Sequence, residues 1–212
     1  MWIKLCGMND ESAIEAALQS RVDAVGFVIA PSVRAVTPAR AAELAAPLRG
    51  RITCIAVTLH PDNDLVESIF RDFDPDRLQI DLADLPRVPQ VYRSRVLPVV
   101  RDANLQAARL DATLRELPQT GQVLCEGTVS GSGHAADWSR VRELAVRREV
   151  VLAGGLTPEN VATAVDAVRP FGVDVSSGIE SSPGRKCPRR IAAFVHAARA
   201  AFAHTSSRES SS

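Results

Sequence analysis

An α/β fold, closed into a single-domain (β/α)8 barrel, is what this sequence predicts, and three observations predict it. Short apolar runs of strand length alternate with helix-periodic stretches in one uninterrupted series of eight, which calls for a parallel sheet. The last two runs, Val150 to Ala153 and Phe171 to Val175, end in Gly154-Gly155 and in Ser176-Ser177-Gly178. Such small residues let backbone amides approach a phosphate closely, and the turns after strands seven and eight are the habitual phosphate site of this barrel. Finally, an open doubly wound sheet would carry its glycine-rich phosphate turn after the first strand, where Cys6-Gly7-Met8-Asn9 has a single glycine. At 212 residues the chain is near the compact end for a closed barrel.

Each unit has its own justification. Ile3 to Cys6 is the first strand, and Asn9 or Asp10 caps a helix with Ile14, Ala17 and Leu18 on one side. Val22 to Ile29 is the second strand, with Pro31 to Arg34 as its outgoing loop. Thr37-Pro38 then opens an alanine-rich helix to about Leu48. Ile52 to Leu59 is the third strand, and Asp62 opens a helix whose Leu65, Val66, Ile69, Phe70 and Phe73 recur at helical spacing. Arg77 to Ile80 is a short fourth strand. The stretch after it holds Pro86 and Pro89 and has a poor helical pattern, so a shortened or irregular element is expected.

Val96 to Val100 is strand five, followed by a helix from Asp102 with Leu105, Ala108 and Leu110. Val123 to Glu126 is strand six, and its outgoing loop is the longest and most glycine-rich in the chain. Asp137-Trp138 begins the sixth helix. Thr157-Pro158-Glu159 opens the seventh, with Thr157 as N-cap and Pro158 at the first helical position. The last helix covers roughly Pro188 to Phe202. The barrel is expected to fill residues 1–203, and the polar, serine-rich residues 204–212 are expected to be a disordered tail.

Bulk properties narrow the partners. Lys plus Arg equals Asp plus Glu at 25 each, so no net field favours nucleic acid or an anionic membrane. No apolar run approaches a membrane span, and the opening MWIKLCG has no charged region leading into a long apolar one, so no signal peptide is expected. The four cysteines, Cys6, Cys54, Cys125 and Cys187, make no CxxC pair, which argues against zinc or a redox dithiol and fits a reducing, cytoplasmic location. No metal site is predicted.

Reacting groups of a barrel stand at the C-terminal ends of its strands. That filter leaves Cys6, Arg34, Asp81, Cys125, Glu126 and Asp174. Cys6 is either a small buried hydrophobe or a proton-transfer thiol, the latter only beside a cation. Glu126 is either a solvated loop carboxylate or a general acid held protonated by its surroundings. Cys125 should point away from Glu126 and pack under the helices, because side chains alternate along a strand. Arg34 is a solvated loop arginine or a bidentate clamp on a substrate carboxylate. Asp174, between valines, reads as an internal hydrogen-bonding group. His134 reads as exposed, and Asp137 as an N-cap.

Several of these stretches resemble the phosphoribosylanthranilate isomerase family, barrel enzymes of tryptophan biosynthesis. Ile3 to Gly7 is similar to that family's opening KICG. Leu152 to Asn160 and Val173 to Glu180, the latter followed by Pro183-Gly184, are equally distinctive, and Gly131-Ser-Gly133 with Asp137-Trp138 resembles its loop after strand six. The resemblance covers nearly the whole chain. It implies an Amadori rearrangement, without cofactor, of N-(5-phosphoribosyl)anthranilate to 1-(2-carboxyphenylamino)-1-deoxyribulose 5-phosphate. Cys6 matches the family's general base, and Glu126 the position of its general acid. Arg34 matches the arginine that holds the anthranilate carboxylate, and amides near Gly154, Gly155, Ser177 and Gly178 would hold the phosphate. The implied partner is thus a small phosphorylated substrate, with no nucleic acid or membrane, for a monomer or homodimer.

The departures are specific. The family has aspartate where this chain has Glu126, and QLHG where this chain has Gln79-Ile-Asp-Leu82. His134-Ala135-Ala136 replaces a lysine-threonine-phenylalanine, and Cys187 lies where helix eight usually starts on aspartate. By the resemblance, Glu126→Asp should work at least as well as the parent. Two alternatives remain at this point. One is the related histidine-pathway isomerase acting on an aminoimidazole substrate, which normally uses paired aspartates where this chain offers Cys6. The other is a catalytically weakened paralogue that only binds a phosphorylated metabolite. A turnover assay with each substrate separates them.

Overall fold

A computed structural model describes residues 1–126 and 138–209. Its eight parallel strands close into one barrel in sequential order, β1 (Trp2–Cys6), β2 (Ala24–Val28), β3 (Thr53–Val57), β4 (Arg77–Asp81), β5 (Val96–Arg101), β6 (Gln122–Glu126), β7 (Glu149–Leu152) and β8 (Gly172–Val175). The barrel closes where β1 pairs with β8, with Lys4 opposite Asp174. The predicted architecture is therefore the observed one.

The outer helices start where local chemistry predicts. In α1 (Glu11–Ser20) the Asp10 side chain accepts from the Ala13 amide at 2.8 Å. In α2 (Pro38–Ala45) Thr37 accepts from Arg40 at 3.1 Å, and in α3 (Asn63–Asp72) Asp62 accepts from Leu65 at 2.8 Å. Each such cap contributes about 1 kcal/mol by pairing an otherwise orphan amide. Between β4 and β5 the two prolines have the predicted effect. Two 3₁₀ segments, Leu82–Arg87 and Gln90–Arg95, replace a helix there. They are held down by Tyr92, which stacks on Phe70 of α3 at 3.9 Å between centroids. The remaining helices are α4 (Ala107–Glu116), α5 (Trp138–Ala145), α6 (Val161–Val168) and α7 (Pro188–Glu209).

Three boundaries differ from the sequence expectation. α4 is preceded by a 3₁₀ turn, Asp102–Leu105. α6 is regular only from Val161, yet Thr157 caps the turn before it as predicted, its hydroxyl accepting from the Glu159 amide at 3.2 Å and its carbonyl from the Val161 amide at 3.1 Å. Asn160 braces the same turn, its Oδ1 accepting from the Thr157 amide and its Nδ2 donating to the Gly155 carbonyl. α7 runs past Phe202 to Glu209, so residues 204–209 of the expected tail are helical. There Thr205 is buried with its hydroxyl on the Phe202 carbonyl, and Ser207 bonds the carbonyls of Ala203 and His204.

Packing separates two cores. The larger lies between barrel and helices, with Phe27 edge-on to Phe73. The smaller fills the barrel floor with Ala24, Ile55, Leu97, Leu124 and Val151. Above that apolar floor the inward positions turn polar, and that layer carries the site. Among the described residues no helix is long and apolar enough to cross a membrane.

Candidate active site

One cavity opens at the C-terminal ends of the strands, and Cys6, Arg34, Asp81, Arg101, Glu126 and Asp174 all line it. Side-chain alternation puts them there. On β5, Leu97 and Val99 belong to the barrel floor and Arg101 continues that face; on β6, Leu124 leads to Glu126 in the same way. Cys125 faces the opposite way, into the core beneath the helices, as alternation predicts.

Cys6 lies in a charged pocket of its own. It pairs with Gly26 across β1 and β2. A Cβ on Gly26 would lie 3.1 Å from Cys6 Sγ and 3.2 Å from Lys4 Nζ, so glycine leaves room for both groups. Lys4 Nζ, wholly buried, donates to Asp174 Oδ1 at 2.9 Å and lies beside the Cys6 sulfur. Burial alone would pull Lys4 down, but Asp174 and Cys6 outweigh it, and its pKa lies above the ordinary lysine value. Burial pushes the Cys6 thiol up, opposed by Lys4 and Lys186 and reinforced by Asp174. Burial thus keeps the Cys6 sulfur a thiol, with Lys4 and Lys186 beside it.

Arg34 lines the cavity, but its fork is already engaged. Nε donates to Glu180 Oε1 at 2.6 Å and Nη2 to Oε2 at 2.9 Å. Within the chain the bidentate geometry belongs to Glu180, and Arg34 stands at the cavity wall where the carboxylate clamp was expected. Among the described residues only the Nη1 edge of Arg34 makes no hydrogen bond. Glu180 also accepts from Lys186 Nζ at 2.8 Å and from the Gly184 amide at 3.2 Å. Burial alone would raise the Glu180 carboxyl, yet Arg34 and Lys186 hold it down to about 2. Lys186 also donates to the Ser176 carbonyl at 3.0 Å. Burial draws its ammonium below the usual lysine range despite Glu180.

These contacts fix a small antiparallel hairpin, β9 (Glu180–Ser182) and β10 (Arg185–Lys186), against the loops after β1 and β2. Asn9 Nδ2 donates to the Gly184 carbonyl at 3.0 Å, and a Cβ on Gly184 would lie 2.6 Å from the Val33 carbonyl oxygen.

Glu126 meets an arginine that the sequence reading did not single out. Arg101 Nη1 donates to Glu126 Oε2 at 3.0 Å, while its Nε and Nη2 both donate to Asp81 Oδ1, at 2.9 and 2.6 Å. Gln79, one inward step below Asp81, has a buried Oε1 with no partner among the described residues. It lines the cavity as an acceptor that a ligand hydroxyl can satisfy.

Gly154, Gly155, Ser177 and Gly178 do not line this cavity; they follow β7 and β8 next to Ser176, which does. Gly154 and Gly155 have φ of 92° and 66°, a conformation open to glycine. Gly178 is required by close approach: a Cβ there would lie 2.0 Å from the Leu156 carbonyl oxygen. The two turns are thus packed onto each other, and Ser177 and Gly178 lead a 3₁₀ turn whose first N–H groups have no partner within it.

His60, Asp81 and Asp84 bring possible metal-ligand atoms within 4.8 Å of one another. Arg101 already neutralises Asp81, and Arg87 lies 3.4 Å from Asp84, so the trio is not a strong cation site. His134 and Asp137, with the remainder of the loop after β6, lie outside the described residues.

Sequence reasoning missed Lys4, Arg101, Glu180 and Lys186. Two signals were there to use. Lys4 and Arg101 continue the inward parity of Cys6 and Val99, and Glu180 and Lys186 flank the Pro183-Gly184 turn.

The geometry can now be set beside known proteins. Residues 3–197 match the family model described as N-(5'phosphoribosyl)anthranilate (PRA) isomerase. A curated relative, the N-(5'-phosphoribosyl)anthranilate isomerase of Nitrobacter winogradskyi, is 37% identical over 99% of this chain and 97% of its own length. The crystal structure of TrpF from Jonesia denitrificans is similar with a TM-score of 0.71 and 35% identity, covering 95% of this chain and 98% of that one. A phosphoribosyl anthranilate isomerase solved in complex with reduced 1-(o-carboxyphenylamino)-1-deoxyribulose 5-phosphate is similar with a TM-score of 0.75 and 28% identity, covering 94% and 99%. By motif, barrel and extent of match alike, the chain belongs to the N-(5'-phosphoribosyl)anthranilate isomerase family.

Proposed function

We propose that this chain catalyses the Amadori rearrangement of N-(5-phosphoribosyl)anthranilate to 1-(2-carboxyphenylamino)-1-deoxyribulose 5-phosphate, with Cys6 as base and Glu126 as acid. The observation that carries the assignment of roles is that Cys6 on β1 and Glu126 on β6 line the same cavity. A ribose between them can receive a proton at its ring oxygen and lose one from C2.

The steps balance within the substrate. Glu126 gives a proton to the ring oxygen as the C1–O bond breaks, and the nitrogen lone pair forms the C1 iminium. Cys6 takes the C2 proton, and the C2–H electrons form the C1–C2 double bond while neutralising nitrogen. Tautomerisation of this enol returns a proton to C1 and gives the ketone. No electron leaves the molecule, so the chemistry requires no redox cofactor. Because burial favours the thiol, Cys6 first gives up its own proton to solvent, a loss that the cationic iminium, Lys4 and Lys186 favour, and only the resulting thiolate takes the C2 proton.

The phosphate is assigned to the amides around Gly154, Gly155, Ser177 and Gly178, and the anthranilate carboxylate to the Nη1 edge of Arg34. With Glu180 holding the other edge, Arg34 is fixed in orientation before substrate arrives. The test is to follow the fluorescence of the anthranilate substrate with purified protein, beside growth of a tryptophan auxotroph lacking this step. Loss of fluorescence and rescue of growth are expected. Turnover of the aminoimidazole substrate alone would overturn the assignment, and so would binding without turnover of either.

A further inference from the structure

The two sequence departures nearest the chemistry, Asp81 and Glu126, turn out to hold the same guanidinium. Asp81, Arg101 and Glu126 stand at the ends of three adjacent strands, with Asp81 opposite Val99 and Arg101 opposite Glu126 in the register. Every nitrogen of the Arg101 fork is used within this row, two on Asp81 Oδ1 and one on Glu126 Oε2. The arginine backbone is fixed as well, since its amide donates to Asn104 Oδ1 at 3.0 Å. All three side chains are largely buried at the cavity wall, 13–18% exposed. The other titratable groups lining the cavity are Cys6, Arg34 and Asp174, none of which bonds Arg101.

A glutamate has one more rotatable bond than the aspartate it replaces, so its carboxyl is longer and less fixed. A proton donor that wanders by an ångström can lose on the order of 100-fold in rate. An anchored guanidinium removes that freedom, because a charge-assisted bond fixes one carboxyl oxygen in a defined direction. We propose that Arg101 is a positioning residue, anchored by Asp81, that sets the Glu126 carboxyl for proton transfer to the ring oxygen. This rests on the assignment of Glu126 as the acid, and it inverts one expectation from the resemblance. Arg101 is matched to glutamate, so shortening that residue breaks the contact.

The test is a double-mutant cycle in the full chain, Arg101→Met, Glu126→Asp and both together, assayed with N-(5-phosphoribosyl)anthranilate for kcat and KM across pH. Arg101→Met should lower kcat by about 10- to 100-fold, with KM changed less than about threefold, and Glu126→Asp should be several-fold slower than the parent. The double variant should be no slower than Arg101→Met, because both changes undo one positioning device. Asp81→Asn, a milder change that keeps an oxygen for Arg101, should lose a few-fold in kcat and guards against a misfolded Arg101→Met. Strictly additive losses, or an Asp81→Asn and an Arg101→Met as fast as the parent, would overturn the positioning role alone. A parent without turnover would overturn the isomerase reading and this inference with it.

Discussion

Glu180→Gln removes the carboxylate on which Arg34, Lys186 and the Gly184 amide converge. In the folded protein that carboxyl lies at about 2, against 4.5 for an ordinary glutamate. At 1.36 kcal/mol per pH unit the difference sets a ceiling of about 3.4 kcal/mol on the charge-dependent stabilisation. Solvent screening lowers the effective figure to about 2 kcal/mol. The sign follows from the depressed value. The contribution is complete above the unfolded pKa and is lost as pH falls through the folded one. The variant should therefore be less stable by about 2 kcal/mol near neutral pH, and by about two fifths of that near pH 3.5. Urea unfolding of both proteins, followed by circular dichroism between neutrality and about pH 3.5, reads the difference at each pH. A difference that stays constant over that range would refute the reasoning, since Glu180 would then act by shape rather than charge. No difference near neutrality would show that Arg34 and Lys186 are satisfied without it.

Three further outcomes test the site. Cys6→Ala should fold normally and lose at least about 100-fold in kcat, the low end for a general base, as measured by substrate fluorescence. Lys4→Met strands the Asp174 carboxylate in the barrel at a cost of about 3–5 kcal/mol, visible in urea unfolding. It also removes the nearest cation from Cys6, so residual activity should rise with pH more steeply than the parent's. Gly178→Ala drives a Cβ into the Leu156 carbonyl, which should cost about 1–3 kcal/mol in stability, and it should raise KM more than it lowers kcat, because it separates the two turns assigned to the phosphate.

The barrel was legible because its signals are local. Strand-length runs, N-caps at Asp10, Thr37 and Asp62, and prolines that deny a helix between β4 and β5 act within a few residues of one another. The boundary errors arose where a side chain competed with a simpler local rule. Thr157 caps the Glu159 amide as its position predicts, yet Asn160 also bonds Thr157 and Gly155, and the regular helix starts only at Val161. The serine-rich end lacks apolar residues, yet its hydroxyls bond the carbonyls of the preceding turn and the helix continues to Glu209.

The site was half legible for a different reason. Cys6 and Glu126 could be placed by strand parity alone, since each needs only its own strand to decide which way it points. What surrounds them depends on register between segments distant in sequence. Lys4 meets Asp174 because β1 closes on β8, and Arg34 meets Glu180 because the loop after β2 faces the hairpin after β8. No window on the sequence contains both members of either pair. The consequence is chemical as well as descriptive. Read alone, Cys6 is a thiol needing a cation and Arg34 a clamp awaiting a carboxylate. With the barrel closed, the thiol has its cation in Lys4 and the clamp has its carboxylate in Glu180, so the substrate must compete with groups already paired. A site arranged this way gains orientation at the expense of affinity: Arg34 offers an incoming anion one edge rather than a full fork, held at a fixed angle. On the proposed assignment of the anthranilate carboxylate to Arg34, specificity at that end depends on where the edge points, more than on the number of charges present.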